Sequence, residues 1–140
     1  MTQYTSQADY DFVLSRMHYY QEHPTKSQRF MDIFPILSSP RATEIVISDL
    51  VTYIRSKFDV EKEVNAIVGP EAEGFLFGAL IAARLGLPFI PARKQTKLPG
   101  DVLQQKYSKW AGSGVMEMQR NAFAELDNRK GAIIVDDSGM

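Results

Sequence analysis

Three groups of polar residues stand directly behind short apolar runs, and their spacing is where chemistry is to be sought. Glu71, Ala72, Glu73 and Gly74 follow the run Ala66-Ile67-Val68 and its Gly69-Pro70 stop; Arg93, Lys94 and Lys97 follow residues 87–92; Asp136 and Asp137 follow residues 132–135. In an open α/β sheet, ligands bind beyond the carboxyl ends of the strands, so each group lies where such a fold presents its site. The three cations could bind an anion locally. Two adjacent carboxylates could accept hydrogen bonds from vicinal hydroxyls or hold a cation near them, or they could simply leave the sheet for solvent.

The elements that must position these groups can be read from apolar periodicity. Residues 66–68 form an apolar run that ends at a Gly-Pro loop, as a buried parallel strand does. Residues 74–85 carry Phe75, Leu76, Phe77, Leu80, Ile81, Ala82, Ala83 and Leu85, a helix apolar nearly all round, stopped by Gly86. A second strand is predicted over 87–92, and a strand, helix, strand unit of this length implies a parallel pair joined by a right-handed crossover. Upstream, Tyr10, Val13, Leu14 and Met17 fall at helical spacing and predict a helix over 8–21, ended by Pro24. Val46, Leu50, Ile54 and Phe58 predict another over 42–58. Downstream, residues 104–114 have the Ser, Gly and Lys content of a mobile excursion. A strand is expected over 116–123, a turn over 127–131 and a buried strand over 132–135.

Composition narrows the class. The chain has 140 residues, 44% of them hydrophobic, and a formal net charge of -1, so it offers no global attraction to nucleic acid or anionic lipid. There is no cysteine for a disulfide or thiolate metal site, and His18 and His23 form no ligand cluster. The N-terminus lacks a signal-peptide pattern, and no apolar run reaches the length of a membrane span. The expectation is one soluble, cytoplasmic domain over 1–140, without nucleic-acid or membrane partners.

The segments GPEAEGFLFG and RKQTKLPG resemble those of the adenine phosphoribosyltransferase family. The likeness continues in order through HPTKSQRFMDIFPIL, YSKWAG, MEMQRNAF and AIIVDD. It implies an α/β fold: a type I phosphoribosyltransferase-like parallel sheet flanked by helices, with an N-terminal hood and N-terminal helix over 1–40. A partial core over 41–140 would then carry a lid loop at about 100–116, with the C-terminal part of the core missing. The implied activity is that of a glycosyltransferase of purine salvage, joining adenine to phosphoribosyl pyrophosphate with Mg²⁺ to give AMP and pyrophosphate.

By the same resemblance Arg29, Phe30 and Met31 belong to the adenine-binding segment, although Phe30 and Ile33 could equally anchor a loop. Glu71, Ala72, Glu73, Arg93, Lys94 and Lys97 fall at phosphate and pyrophosphate positions, and Asp136 and Asp137 at ribose or Mg²⁺-linked ones. Three departures stand out. Glu73 replaces a family arginine, Trp110 and Ala111 replace a glutamate and a tyrosine of the lid, and Ser138-Gly139-Met140 stands where the family has a Gly- and Thr-rich phosphate loop. Together they predict a chain impaired or inactive alone, or a non-catalytic nucleotide-binding or interaction subunit. It is expected as a homodimer or as a hetero-oligomer with a full-length relative, through the open edge of the last strand.

Overall fold

In the computed structural model, residues 5–22, 29–109 and 112–137 are described. They fall into two compact units, Met1–Ile54 and Arg55–Met140.

The first unit opens with α1 (Gln7–Leu14), capped by Ser6, whose Oγ accepts the Asp9 amide. Arg41 ties this helix down by pairing with Asp9 at 3.2 Å and lying 4.2 Å over the Phe12 ring. The Ser6 hydroxyl, and after it the Arg41 guanidinium, hold the Asp9 carboxyl below its ordinary pKa. The helix predicted over 8–21 stops at Leu14, and residues 18–21 are extended. Beyond the Ser15 C-cap the chain turns into β1 (His18–Gln21), which pairs antiparallel with β2 (Arg29–Asp32), setting Tyr20 opposite Phe30 and Tyr19 opposite Met31. The aromatic pair Tyr19-Tyr20 suits a pleated ribbon better than a last helical turn. Asp32 accepts the Phe34 amide at 3.0 Å to start α2 (Phe34–Leu37), and α3 (Pro40–Lys57) follows with Ala42, Ile47, Val51 and Ile54 buried. The helix falls close to the range read from sequence, but its buried face is not the Val46, Leu50, Ile54 and Phe58 stripe: of those four only Ile54 is buried, and Phe58 lies beyond the helix end and is exposed.

The second unit contains α4 (Val60–Glu63), β3 (Val64–Pro70), α5 (Glu73–Leu85), β4 (Phe89–Lys94), β5 (Val102–Lys109), β6 (Gly112–Gln119), a 3₁₀ turn at Arg120–Phe123, and β7 (Gly131–Ile134). Its five-stranded sheet has the order β5-β6-β4-β3-β7. β4, β3 and β7 are parallel, while β6 adds antiparallel to β4 and β5 to β6, so a hairpin extends the parallel core on one side. β3 is buried along most of its length because both of its sheet neighbours and both of its faces are filled.

Alternation along the strands separates the two faces. Ala66, Val68, Ile90 and Ala92 form one core cluster, with Met116, Met118, Phe123 and Leu126 packed on it. Ile67 and Phe89 point the other way, toward α5, where a Cβ on Gly78 would meet both side chains. Gly86 ends α5 in the left-handed conformation, at φ 69°.

Three sequence expectations are corrected here. β4 does not stop at Ala92: pairing with β6 carries it through Arg93 and Lys94, leaving Lys97 as the cation of the turn. The strand predicted over 116–123 ends at Gln119, where the 3₁₀ turn begins. β7 is not a buried strand, since β3 is its one partner among the described residues and Ile134 is 69% exposed. Among the described residues no helix is long and apolar enough to cross a membrane.

Candidate functional site

Strands β3, β4 and β7 run in the same direction, so their carboxyl ends meet on one side of the sheet. Period-two alternation then places Val68 and Pro70, Ala92 and Lys94, and Ile134 and Asp136 on a common face. A pocket of about 380 Å³ opens there, lined by these residues and by Glu71, Glu73, Tyr107, Met116, Met118 and Asp137. Its floor is apolar and its rim charged. The lining side chains include four carboxylates and one ammonium, Lys94, so the pocket is acidic.

The loop between β3 and α5 is drawn tight under the rim. The Glu71 amide donates to the Ala92 carbonyl at 2.9 Å, and the Glu71–Ala72 peptide is cis. No side chain would fit at Gly69 or Gly74: a Cβ on Gly69 would run into the Gly74 carbonyl oxygen, and one on Gly74 would lie 2.6 Å from that of Val135. These close approaches bring the first turn of α5 against the ends of β3 and β7. Val135 is itself fixed by donating its amide to Val68 at 2.9 Å, and the Asp137 amide closes onto the Asp136 carboxylate at 3.0 Å.

Glu73 is the first residue of α5, and its carboxylate accepts the Ala72 amide at 3.2 Å. A carboxylate in a first helical turn is favoured by the partial positive charge there. Arg93 spans the site, donating from Nε to Glu71 at 2.9 Å and from Nη1 to the Lys97 carbonyl at 3.1 Å. With Glu71 only 15% exposed, this pair is sheltered and fastens the β3–α5 loop to the turn after β4.

Five of the residues singled out from sequence, Glu71, Glu73, Lys94, Asp136 and Asp137, thus come together in one pocket. Ala72, Arg93 and Lys97 do not line it: the Ala72 amide donates to Glu73, Arg93 donates to Glu71, and the Lys97 carbonyl accepts from Arg93. Phe30 and Met31 lie with Arg29 on β2 of the first unit, and Trp110 and Ala111 lie outside the described residues. Sequence reasoning missed Tyr107, Met116 and Met118, which the β5–β6 hairpin brings to the pocket. The Met-Glu-Met alternation at 116–118 was the available signal, because it places both methionines on one face. Tyr107 faces Gly114 across the hairpin, and a Cβ on that glycine would lie 2.6 Å from the tyrosine hydroxyl.

The chain matches no family model. It is 36% identical over 137 residues to adenine phosphoribosyltransferase of Drosophila pseudoobscura pseudoobscura, covering 98% of this chain and 72% of that protein. It is also 36% identical over 123 residues to that of Yarrowia lipolytica, covering 88% of this chain and 65% of the relative. The crystal structure of the Saccharomyces cerevisiae adenine phosphoribosyltransferase, complexed with an imino-altritol bisphosphate and adenine, superposes with a TM-score of 0.83 at 32% identity, over 94% of this chain and 73% of that one. The chain spans about two thirds of the length of the curated relatives it matches. Identity at this level and coverage, with a shared fold and ordered strand-end motifs, place the chain in the adenine phosphoribosyltransferase family.

Proposed function

We propose that this chain binds an adenine nucleotide at the strand-end pocket, and that by itself it transfers phosphoribosyl groups to adenine far more slowly than its relatives do. The observation that carries this reading is the polarity of the pocket. The apolar floor of Val68, Ala92, Met116 and Met118 suits the faces of a ring, and Asp136 and Asp137 are pure acceptors suited to a ribose diol. A free pyrophosphate would meet four carboxylates against one ammonium, with the Arg93 guanidinium already engaged by Glu71. Among the described residues no three acidic or histidine side chains are grouped to hold a metal ion. In this reading Mg²⁺ enters with phosphoribosyl pyrophosphate as part of the substrate, offsetting some of the negative charge. The setting is cytoplasmic purine salvage.

Calorimetric titration with AMP, beside an assay for AMP formation from adenine, phosphoribosyl pyrophosphate and Mg²⁺, tests both halves. Saturable AMP binding that Asp136→Asn with Asp137→Asn weakens about tenfold is expected, with product formation at background. Turnover at the rate of a full-length relative would overturn the second half, and absence of AMP binding the first.

A second reading, an interaction subunit, is favoured by β7. Among the described residues β7 is an edge strand with the exposed Ile134 on it, the kind of edge that pairs with another chain. A homodimer, or a hetero-oligomer with a full-length relative, is the expected state in light scattering at micromolar concentration. A cooperatively melting monomer that ignores added relatives would remove this reading.

A further inference from the structure

Glu117 is the one buried charged side chain among the described residues, 3% exposed, yet it does not line the pocket. Both of its oxygens are in use. Oε2 accepts the backbone amide of Thr96 at 2.9 Å, and Oε1 accepts the Gln104 side-chain amide at 2.8 Å. Three segments therefore converge on one carboxylate: β6, which carries it; β5, through Gln104; and the turn after β4, through Thr96.

The bond from Glu117 falls on the residue of that turn with the least ordinary backbone. Thr96 adopts φ 70°, a left-handed conformation that a β-branched residue rarely takes, so the backbone there must be held from outside. The turn is also held by Gln95 N–H donating to the Val115 carbonyl at 3.1 Å, Lys97 N–H to the Lys94 carbonyl at 3.3 Å, and Arg93 to the Lys97 carbonyl at 3.1 Å. Arg93 stands opposite Glu117 in the β4–β6 register and continues the connection to Glu71 on the pocket rim.

We propose that Glu117 is a positioning residue. It fixes the conformation of the turn between Lys94 and Lys97, and it locks that turn to the hairpin carrying Tyr107, Met116 and Met118. The cationic side of the pocket and its hairpin wall then move as one body, so polyanion affinity depends on a carboxylate that touches no ligand. The ligand-binding part of this inference rests on the nucleotide reading above; the turn-holding part does not.

The test compares Glu117→Gln and Glu117→Leu in the full chain. Glutamine can keep the Thr96 bond through its oxygen while its amide donates to a flipped Gln104 side chain, whereas leucine keeps neither contact. Hydrogen exchange of the Thr96 amide is expected to quicken at least tenfold in Glu117→Leu and less than threefold in Glu117→Gln. The affinity for magnesium pyrophosphate should fall about tenfold in the leucine variant and stay within twofold in the glutamine one. Equal Thr96 protection in the two variants would overturn the turn-holding role. Lost protection with unchanged affinity would overturn the link to the pocket. If the wild-type chain binds neither AMP nor magnesium pyrophosphate, the nucleotide reading fails and the exchange rates, with the NMR shifts of ¹³C-methylated Lys94 and Lys97, still decide the positioning role; lysine shifts equal in the two variants would count against it. Should Glu117→Leu not fold, Gln104→Met removes only the Oε1 partner. It is expected to quicken Thr96 exchange severalfold, and no change would count against the proposal.

Discussion

Gly74→Ala is expected to destabilise the chain by about 3 kcal/mol and to lower the melting temperature by roughly 10 °C. The added Cβ would lie 2.6 Å from the Val135 carbonyl oxygen and 2.8 Å from the Pro70 ring. Neither neighbour can swing aside, because Pro70 is cyclic backbone and Val135 is held by Val68. The strand end must move, and overpacking of that kind outweighs the gain of up to about 1 kcal/mol that alanine brings to a helix. Gly86→Ala is the control. That glycine has φ 69° with nothing within 4 Å of a would-be Cβ, so only the left-handed backbone opposes the change, at about 1 kcal/mol. Urea unfolding of the two variants side by side measures the difference. If Gly74→Ala melts like the wild type, the close approach of β3, α5 and β7 is wrong, and with it the placement of Asp136 and Asp137 at the pocket.

The second large effect is expected at Glu73, where replacing the carboxylate by an amide should strengthen binding of metal-free pyrophosphate about tenfold. A unit charge pair about 5 Å apart repels by about 3 kcal/mol at an effective dielectric near 20. Solvent reaches Glu73, so about half of that survives, which is close to one order of magnitude in affinity. Glu73→Gln also weakens the hold on the Ala72 amide, freeing a donor at the N-terminus of α5 for the ligand. Calorimetry at low and at physiological salt distinguishes charge from shape. The gain should shrink as salt rises, whereas equal affinities in both proteins at low salt would show that the anion does not approach this helix end. Magnesium pyrophosphate should gain less, because its cation already offsets part of the repulsion.

The strand, helix, strand unit around this helix was readable because buried parallel strands are continuous apolar runs and glycines mark where they stop. What could not be read was the extent of β4. Arg93 and Lys94 look like a solvated turn, and they are strand residues because β6 returns to pair with them, a long-range event that no local pattern encodes. The same return brings Met116 and Met118 to the pocket and buries Glu117. In sequence, an acid between two methionines reads as the solvent face of a strand, and its burial depends on Thr96 and Gln104 arriving from elsewhere. The acidic half of the site was legible from strand ends alone. The helix at the N-terminus was overextended because Met17 keeps the helical spacing after the backbone has left it, at Ser15.

The pairing of β7 with β3 also sets an order in time. α5, β4 and the β5–β6 hairpin all lie between these partners in the chain, so their parallel contact closes a long loop, whereas the hairpin closes locally within microseconds. During synthesis from the N-terminus, the hairpin wall and the Arg93–Glu71 fastening can be complete while β7 is still being made. Until that strand docks, the site has its floor, Lys94, Glu71 and Glu73 but neither Asp136 nor Asp137, and the nascent chain passes through a stage that repels anions less than the finished pocket does.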